Sequence, residues 1–166
     1  AEEYFCFIGA IALKSKNVGY AVHLAKKHCL NLKIAGGWRF SWNPKIRFLG
    51  KLGGRRKIEL LKNARALIFP TNWEEPMGLV VPEALACGTP VIVSNKGAMP
   101  ELVPPEVGFV CKNESDYDNA IAQISSIERQ VCRHYIEENF TYQKMTKQYI
   151  QLYQQILNDK NHHLTD

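Results

Sequence analysis

This 166-residue sequence predicts an α/β fold: a Rossmann-like parallel sheet with helices on both faces. Three observations predict it. Short apolar runs of strand length alternate with longer stretches that carry apolar residues at helical spacing. Several of the short runs, YFCFI and ALIF among them, are apolar throughout, as strands covered on both faces are. Glycine or proline ends several of them, where the chain must turn.

YFCFI (residues 4–8) is the first buried-strand run. NVGYAVHLAKKH (17–28) follows, with Val18, Ala21, Val22 and Ala25 on one helical face. LKIAG (32–36) and IRFLG (46–50) read as strands ending in glycine, and RRKIELLKNA (55–64) as an amphipathic helix. ALIFP (66–70) is a strand stopped by proline. VPEALA (81–86) is a short helix closed by Gly88, VIVS (91–94) another strand and GFVC (108–111) the last. From Ser115 the pattern is helical to about Asn158 with one break near Asn139, and these C-terminal helices are expected to pack alongside the sheet. His162-His163 reads as a frayed tail. Ligands of such sheets bind beyond the carboxyl ends of the strands. The loops after Ile8, Leu49, Phe69 and Val93 should therefore surround one crevice.

The length fits a single domain over residues 1–166 with a core of its own. With 46% hydrophobic and 22% charged residues the composition is that of a soluble globular chain. No apolar run approaches the roughly 20 residues of a membrane span. The net charge of +5 comes from basic residues spread over Lys14, Lys16, Lys26, Lys27, Arg55, Arg56, Lys57 and the C-terminal region. No stripe interleaved with aromatics is visible, which argues against nucleic acid as a partner. Cys6, Cys29, Cys87, Cys111 and Cys132 form an odd set without a Cys-x-x-Cys pair, so reduced thiols and a cytoplasmic location are expected. The first residue is Ala1, so the chain reads as a mature form or as a piece of something longer.

The chemistry concentrates in NWEEPMGLVVPEALACGTPVI (72–92). Pro82 lacks an N–H and belongs in the first turn of its helix. The open N–H groups of that turn then fall around Gly78, Leu79, Val80 and Val81, and a helix start of this kind attracts anions. An ordinary strand–loop–helix connection explains the spacing equally well. Glu83 lies in the first helical turn, where a carboxylate is favourable by about 0.3–1 kcal/mol. Glu75, beside Pro76, has no such capping task. Two carboxylates flanking open amides suit a ligand with hydroxyls at both ends, such as a sugar nucleotide.

These residues resemble the C-terminal, donor-binding half of retaining glycosyltransferases of family 4, which have the two-domain GT-B fold. The specific part is Trp73-Glu74-Glu75-Pro76-Met77-Gly78-Leu79 followed by Pro82-Glu83-Ala84-Leu85-Ala86-Cys87-Gly88-Thr89-Pro90. Glu75 and Glu83 have the family's seven-residue gap, and Glu74 is off register. IAGG (34–37), IRFLGKL (46–52), NARALIFP (63–70), KGAMPELV (96–103) and GFV (108–110) extend the likeness from Tyr4 to about Tyr153.

The resemblance implies a nucleoside diphosphate sugar as donor substrate, no metal and no other cofactor. Glu75 would hold the donor sugar as the catalytic carboxylate and Glu83 the ribose diol. Backbone amides of Met77, Gly78, Leu79 and Val80 would meet the diphosphate and sugar, and the backbone of Lys51 and Leu52 the base. The family places an Arg after a glycine at the first loop; here Gly9 is followed by Ala10. Its lysine aligns with Lys16 if the loop is one residue longer, and Lys14 is the rival. An N-terminal domain that binds the acceptor and brings a histidine is expected outside these residues, and the isolated domain should bind donor without turning it over. Peripheral membrane association of the full-length enzyme is a further expectation.

Two other readings remain open: a sugar-nucleotide epimerase or phosphorylase of the same fold, and a non-catalytic binding module, which Ala10 favours. Asp116-Tyr117-Asp118 spells a metal-binding pattern of a different fold, yet Ser115 or Asp116 suits a helix cap. His23, His28, His134, His162 and His163 show no metal-ligand spacing.

Overall fold

The structure, a computed structural model, describes residues 3–162, with side chains as far as Asn158. Six strands form one parallel sheet: β1 (Phe5–Ile8), β2 (Leu32–Ala35), β3 (Ile46–Phe48), β4 (Ala66–Phe69), β5 (Val91–Ser94) and β6 (Gly108–Cys111). Their order is β3-β2-β1-β4-β5-β6. The chain thus builds outward from β1 to β3, returns to place β4 against β1, and builds outward again. Phe5 pairs with Leu32 on one side and with Ala66 on the other. The strand order reverses between β1 and β4, the position where open α/β sheets form a crevice.

Helices α1 (Val18–Lys27) and α5 (Glu114–Gln123) cover one face, and α2 (Gly54–Asn63), α3 (Val80–Ala86) and α6 (Arg129–Asn139) the other. Alternate strand residues feed the two layers. Phe5, Phe7 and Ile68 pack with Leu24, Tyr117 and Ile121, whereas Cys6, Leu67 and Phe69 pack with Leu61, Leu85 and Cys132. Phe7, Leu24, Leu61 and Leu85 are fully buried, each worth about 1.5–3 kcal/mol relative to exposure. Arg129 fastens α6 to the far face, donating to the Ala64 carbonyl at 2.8 Å and to Thr89 Oγ1 at 2.9 Å.

The predicted strands and the helices before Ser115 are present, with ends shifted by a residue or so. The C-terminal region departs from expectation. A 3-10 turn over Ile124–Ser126 and an extended Glu128 interrupt it before the break at Asn139. The final helix, α7 (Tyr142–His162), runs to His162, so no fraying begins before that residue; His163 lies outside the described residues. While α6 packs against α3, the apolar residues Tyr149, Ile150, Tyr153 and Leu157 of α7 are exposed, so only part of the C-terminal region lies alongside the core. A four-residue helix, α4 (Met99–Leu102), and a 3-10 turn over Lys14–Lys16 were not legible in the sequence.

Candidate functional site

The β1–α1 loop is tied to the end of β4 by one carbonyl. Ser15 O accepts from Thr71 Oγ1 and from the Asn72 N–H, both at 3.0 Å. The 3-10 turn over Lys14–Lys16 and a left-handed Asn17 (φ 55°) then aim Lys16 into the crevice and leave Lys14 exposed. Lys16 Nζ donates to Glu75 Oε2 in a close ion pair, and Trp73 Nε1 donates to the same oxygen at 2.9 Å. The ammonium also sits 5.3 Å from the Trp73 ring centroid and 5.5 Å from that of Phe69, within cation–π range. Glu75 is only 7% exposed, far from the solvated carboxylate its loop position allowed.

Two glycines hold this loop. At Gly97 φ is +55°, and a Cβ there would meet Glu75 O at 2.3 Å and Glu75 N at 2.4 Å. The close approach lets the β5–α4 loop clamp residues 74 and 75: Ala98 N–H donates to Glu75 O at 2.9 Å, and Gly97 N–H to Glu74 Oε2 at 2.5 Å. Glu74, off register in the sequence motif, is thus a loop clamp. Gly78 (φ +60°) lies against Glu75 Cγ and Met99 Cε, where an added Cβ would fall within 3.2 Å of both.

On the other side of Gly78, α3 begins without a side-chain cap at Leu79. The Val81 N–H bonds to Gly78 O at 2.8 Å, which removes Val81 from the predicted set of open amides. Gly78, Leu79 and Val80 keep N–H groups without a backbone partner among the described residues. Met77 and Leu79 are exposed at the crevice, and Val80 packs partly against the core. Glu83 Oε1 accepts from Lys57 Nζ of α2 at 2.5 Å. Sequence reasoning missed Lys57; its only signal was the basic start of an amphipathic helix. Gly9 closes β1, donating to Ala35 O at 3.0 Å. Lys51 is exposed after β3, and Leu52 packs partly against the core beside α2.

The crevice continues beyond Asn72 as a cavity of about 400 Å³ lined by Asn17, Tyr20, Thr71, Ser94, Asn113 and Tyr117. The acidic pair at its rim has other work. Asn113, rather than Ser115 or Asp116, caps α5: its side chain accepts from Asp116 N–H at 3.0 Å, and Asp116 accepts in return from Asn113 N–H at 3.3 Å. Asp118 turns to Lys27 (2.8 Å) and His28 (2.6 Å), whose hydrogen bonds hold its carboxyl below the usual range. Glu114 is lowered likewise by Lys27 and then His23. Among the described residues no group of three His, Cys, Asp or Glu could hold a metal ion. No described helix is long and apolar enough to cross a membrane.

A parallel sheet whose strand-order reversal carries a part-buried Lys–Glu pair beside a glycine-led helix start defines a domain of the Rossmann class with a candidate ligand crevice. The chain belongs to the group 1 glycosyl transferases, whose family profile matches residues 1–143. An uncharacterized glycosyltransferase of Methanocaldococcus jannaschii is 30% identical over 124 residues, 66% of this chain and 31% of the relative. Sucrose-phosphate synthase from Thermosynechococcus elongatus superposes with a TM-score of 0.76 at 22% identity, over 95% of this chain and 46% of that one. HepE from Anabaena, solved in complex with UDP, gives a TM-score of 0.76 at 15% identity over 92% of this chain and 49% of its own. The chain spans half or less of each, and its fold is one half of the GT-B fold of these neighbours.

Proposed function

We propose that this chain is the donor-binding half of a retaining glycosyltransferase of family 4, taking a sugar from a nucleoside diphosphate sugar for transfer to an acceptor hydroxyl. The observation that carries the reading is the Lys16–Glu75–Trp73 cluster at the reversal between β1 and β4. As the glycosyl bond breaks, negative charge builds on the departing diphosphate. The Lys16 ammonium and the open amides of Gly78, Leu79 and Val80 face that charge as preorganised dipoles and need no metal. Glu75 uses Oε2 for Lys16 and Trp73, leaving Oε1 to accept sugar hydroxyls. Glu83, oriented by Lys57, takes the ribose diol, and the backbone at Lys51 and Leu52 the base. Holding the sugar over the diphosphate directs the acceptor to the same side, which is the retaining outcome. The acceptor and a catalytic histidine come from a separate N-terminal domain, so these residues bind donor without turning it over.

Calorimetric titration with UDP-, GDP- and ADP-sugars, first in EDTA and then with magnesium or manganese, tests this. One base class should bind in EDTA. Silence from every sugar nucleotide, or a strict metal requirement, would overturn the reading. A non-catalytic module has one observation in its favour: Ala10, exposed after Gly9, where the family resemblance places an arginine. Ala10→Arg should tighten nucleoside diphosphate by about 1 kcal/mol, since a guanidinium grips phosphate at two points. Unchanged affinity would mean that the loop has carried position 10 away from the ligand.

A further inference from the structure

Alone among the five crossovers of the described sheet, β2 to β3 runs without a helix. Where a helix would cover the outer strands, residues 36–45 present Trp38, Phe40 and Trp42, which are 74%, 60% and 91% exposed. Phe40 and Trp42 meet edge to face at 4.8 Å, so the tip has a defined shape. Behind it lies an open groove of about 500 Å³ formed with Val22, Ile46 and Phe48, with Lys26 and Arg39 at its rim. Scattered apolar residues on a surface are ordinary, but three large aromatics within five positions beside an open apolar groove form a patch.

The same edge is strongly cationic. Residues 4–58 contain twelve Lys or Arg and no Asp or Glu. This segment builds β1, α1, β2, β3 and the start of α2, the half of the sheet that ends at β3. The basic residues that look dispersed along the sequence are therefore gathered on one half of the sheet, with Lys26 and Arg39 next to the aromatics. Lys16, Lys27 and Lys57 are paired with carboxylates from outside this segment. Lys26 and Arg39, which line the groove beside Phe40 and Trp42, form no ion pair among the described residues.

We propose that this edge docks on an anionic lipid surface. Trp38, Phe40 and Trp42 enter the boundary between headgroups and acyl chains, where indoles are favoured, while Lys26 and Arg39 meet lipid phosphates. An exposed aromatic tip with Lys26 and Arg39 beside it matches a soft, negatively charged plane. The proposal is independent of the donor reading, because none of these residues lies in the Lys16–Glu75 crevice.

The test is sedimentation of the 166-residue chain with vesicles of phosphatidylcholine alone and of equal parts phosphatidylcholine and phosphatidylserine. Trp73→Phe leaves Trp38 and Trp42 as the sole indoles, reporting insertion by emission and by quenching from acyl-brominated lipid. Binding should be at least about tenfold tighter on the anionic vesicles and weaken with salt. Indole emission should shift to the blue and be quenched. Trp38→Ala with Trp42→Ala should lose about tenfold or more without altering thermal unfolding, since both side chains are exposed. Arg39→Gln with Lys26→Gln should lose affinity for the anionic vesicles only. The proposal is overturned by no binding, by binding without indole burial, or by full binding of the double alanine variant. Tighter binding to a single-stranded oligonucleotide than to anionic vesicles would also overturn it and assign the edge to nucleic acid.

Discussion

Lys16 donates to Glu75 across 59 positions of sequence, at the point where β1 and β4 meet, with side chains only 18% and 10% exposed. The pair joins the residue expected at the phosphates to the one expected at the sugar. Binding and local stability are therefore coupled: a change at either residue leaves the other charge enclosed without its partner.

Lys16→Ala should lower the stability of the chain, by up to about 3 kcal/mol in denaturant unfolding, because Glu75 is left in a largely buried site. Lys14→Ala, on an exposed side chain, should stay within about 0.5 kcal/mol. The same contrast should appear in nucleoside diphosphate affinity. Lys16→Ala should lose about 1.5–3 kcal/mol at low salt, and less as salt screens the charges. If Lys14→Ala abolishes binding while Lys16→Ala is silent, Lys14 is the phosphate ligand.

Glu83→Ala should weaken bare nucleoside diphosphate, whereas Glu75→Ala should weaken only the sugar-bearing donor, each by about 1.5–3 kcal/mol. Their stability effects should differ as well. Glu83 is half-exposed with Lys57 and should contribute no more than about 1 kcal/mol. Removal of Glu75 strands both Lys16 and the Trp73 N–H. Equal loss of bare diphosphate in both variants would refute the division of roles.

Gly97→Ala should be among the most damaging single substitutions. Its Cβ would strike the Glu75 backbone at 2.3–2.4 Å, and φ there is +55°. We expect a loss of more than about 3 kcal/mol, or failure to fold, together with loss of donor binding. An ordinary melting temperature for this variant would show that the clamp on residues 74 and 75 can relax.

Burial raises the thiols of Cys6, Cys111 and Cys132, with Cys111 pushed up to about 12 and Cys132 to about 11 from an ordinary value of 9.0. Thiols held protonated in the fold and free to ionise when unfolded favour the fold fully below pH 9, and that contribution is lost as pH climbs to about 11–12. Unfolding free energy should fall across that range, and the fall should shrink in Cys111→Ala. At neutral pH a thiol reagent should modify exposed Cys29 first, and Cys29→Ser should remove the fast phase.

The strands were legible because each is a largely apolar run ended by a nearby turn, with Lys33 in β2 and Arg47 in β3 the charged exceptions, a pattern that local chemistry controls. The seven-residue gap between Glu75 and Glu83 was legible for the same reason: one short loop and one helical turn separate them. Other elements left no local trace. The turn at Ile124–Ser126 keeps Ile121, Ile124 and Ile127 at helical spacing, so the pattern runs through it unbroken. With four residues and an internal Pro100, α4 offers too little periodicity to read.

The sequence by itself determined the alternation of strands and helices, the parallel α/β architecture and the carboxylate pair around Gly78. Only the tertiary structure decided that Lys16 rather than Lys14 enters the crevice, that Glu74 clamps Gly97, and that Lys57 reaches Glu83. It also sorted the charges, by placing residues 4–58 on one half of the sheet. The physical reason is common to all of these. Periodicity and turn chemistry act over a few residues, whereas the ion pairs depend on which strands become neighbours. That choice is made by packing two apolar layers against one sheet, and single residues far apart in sequence meet only once it is made.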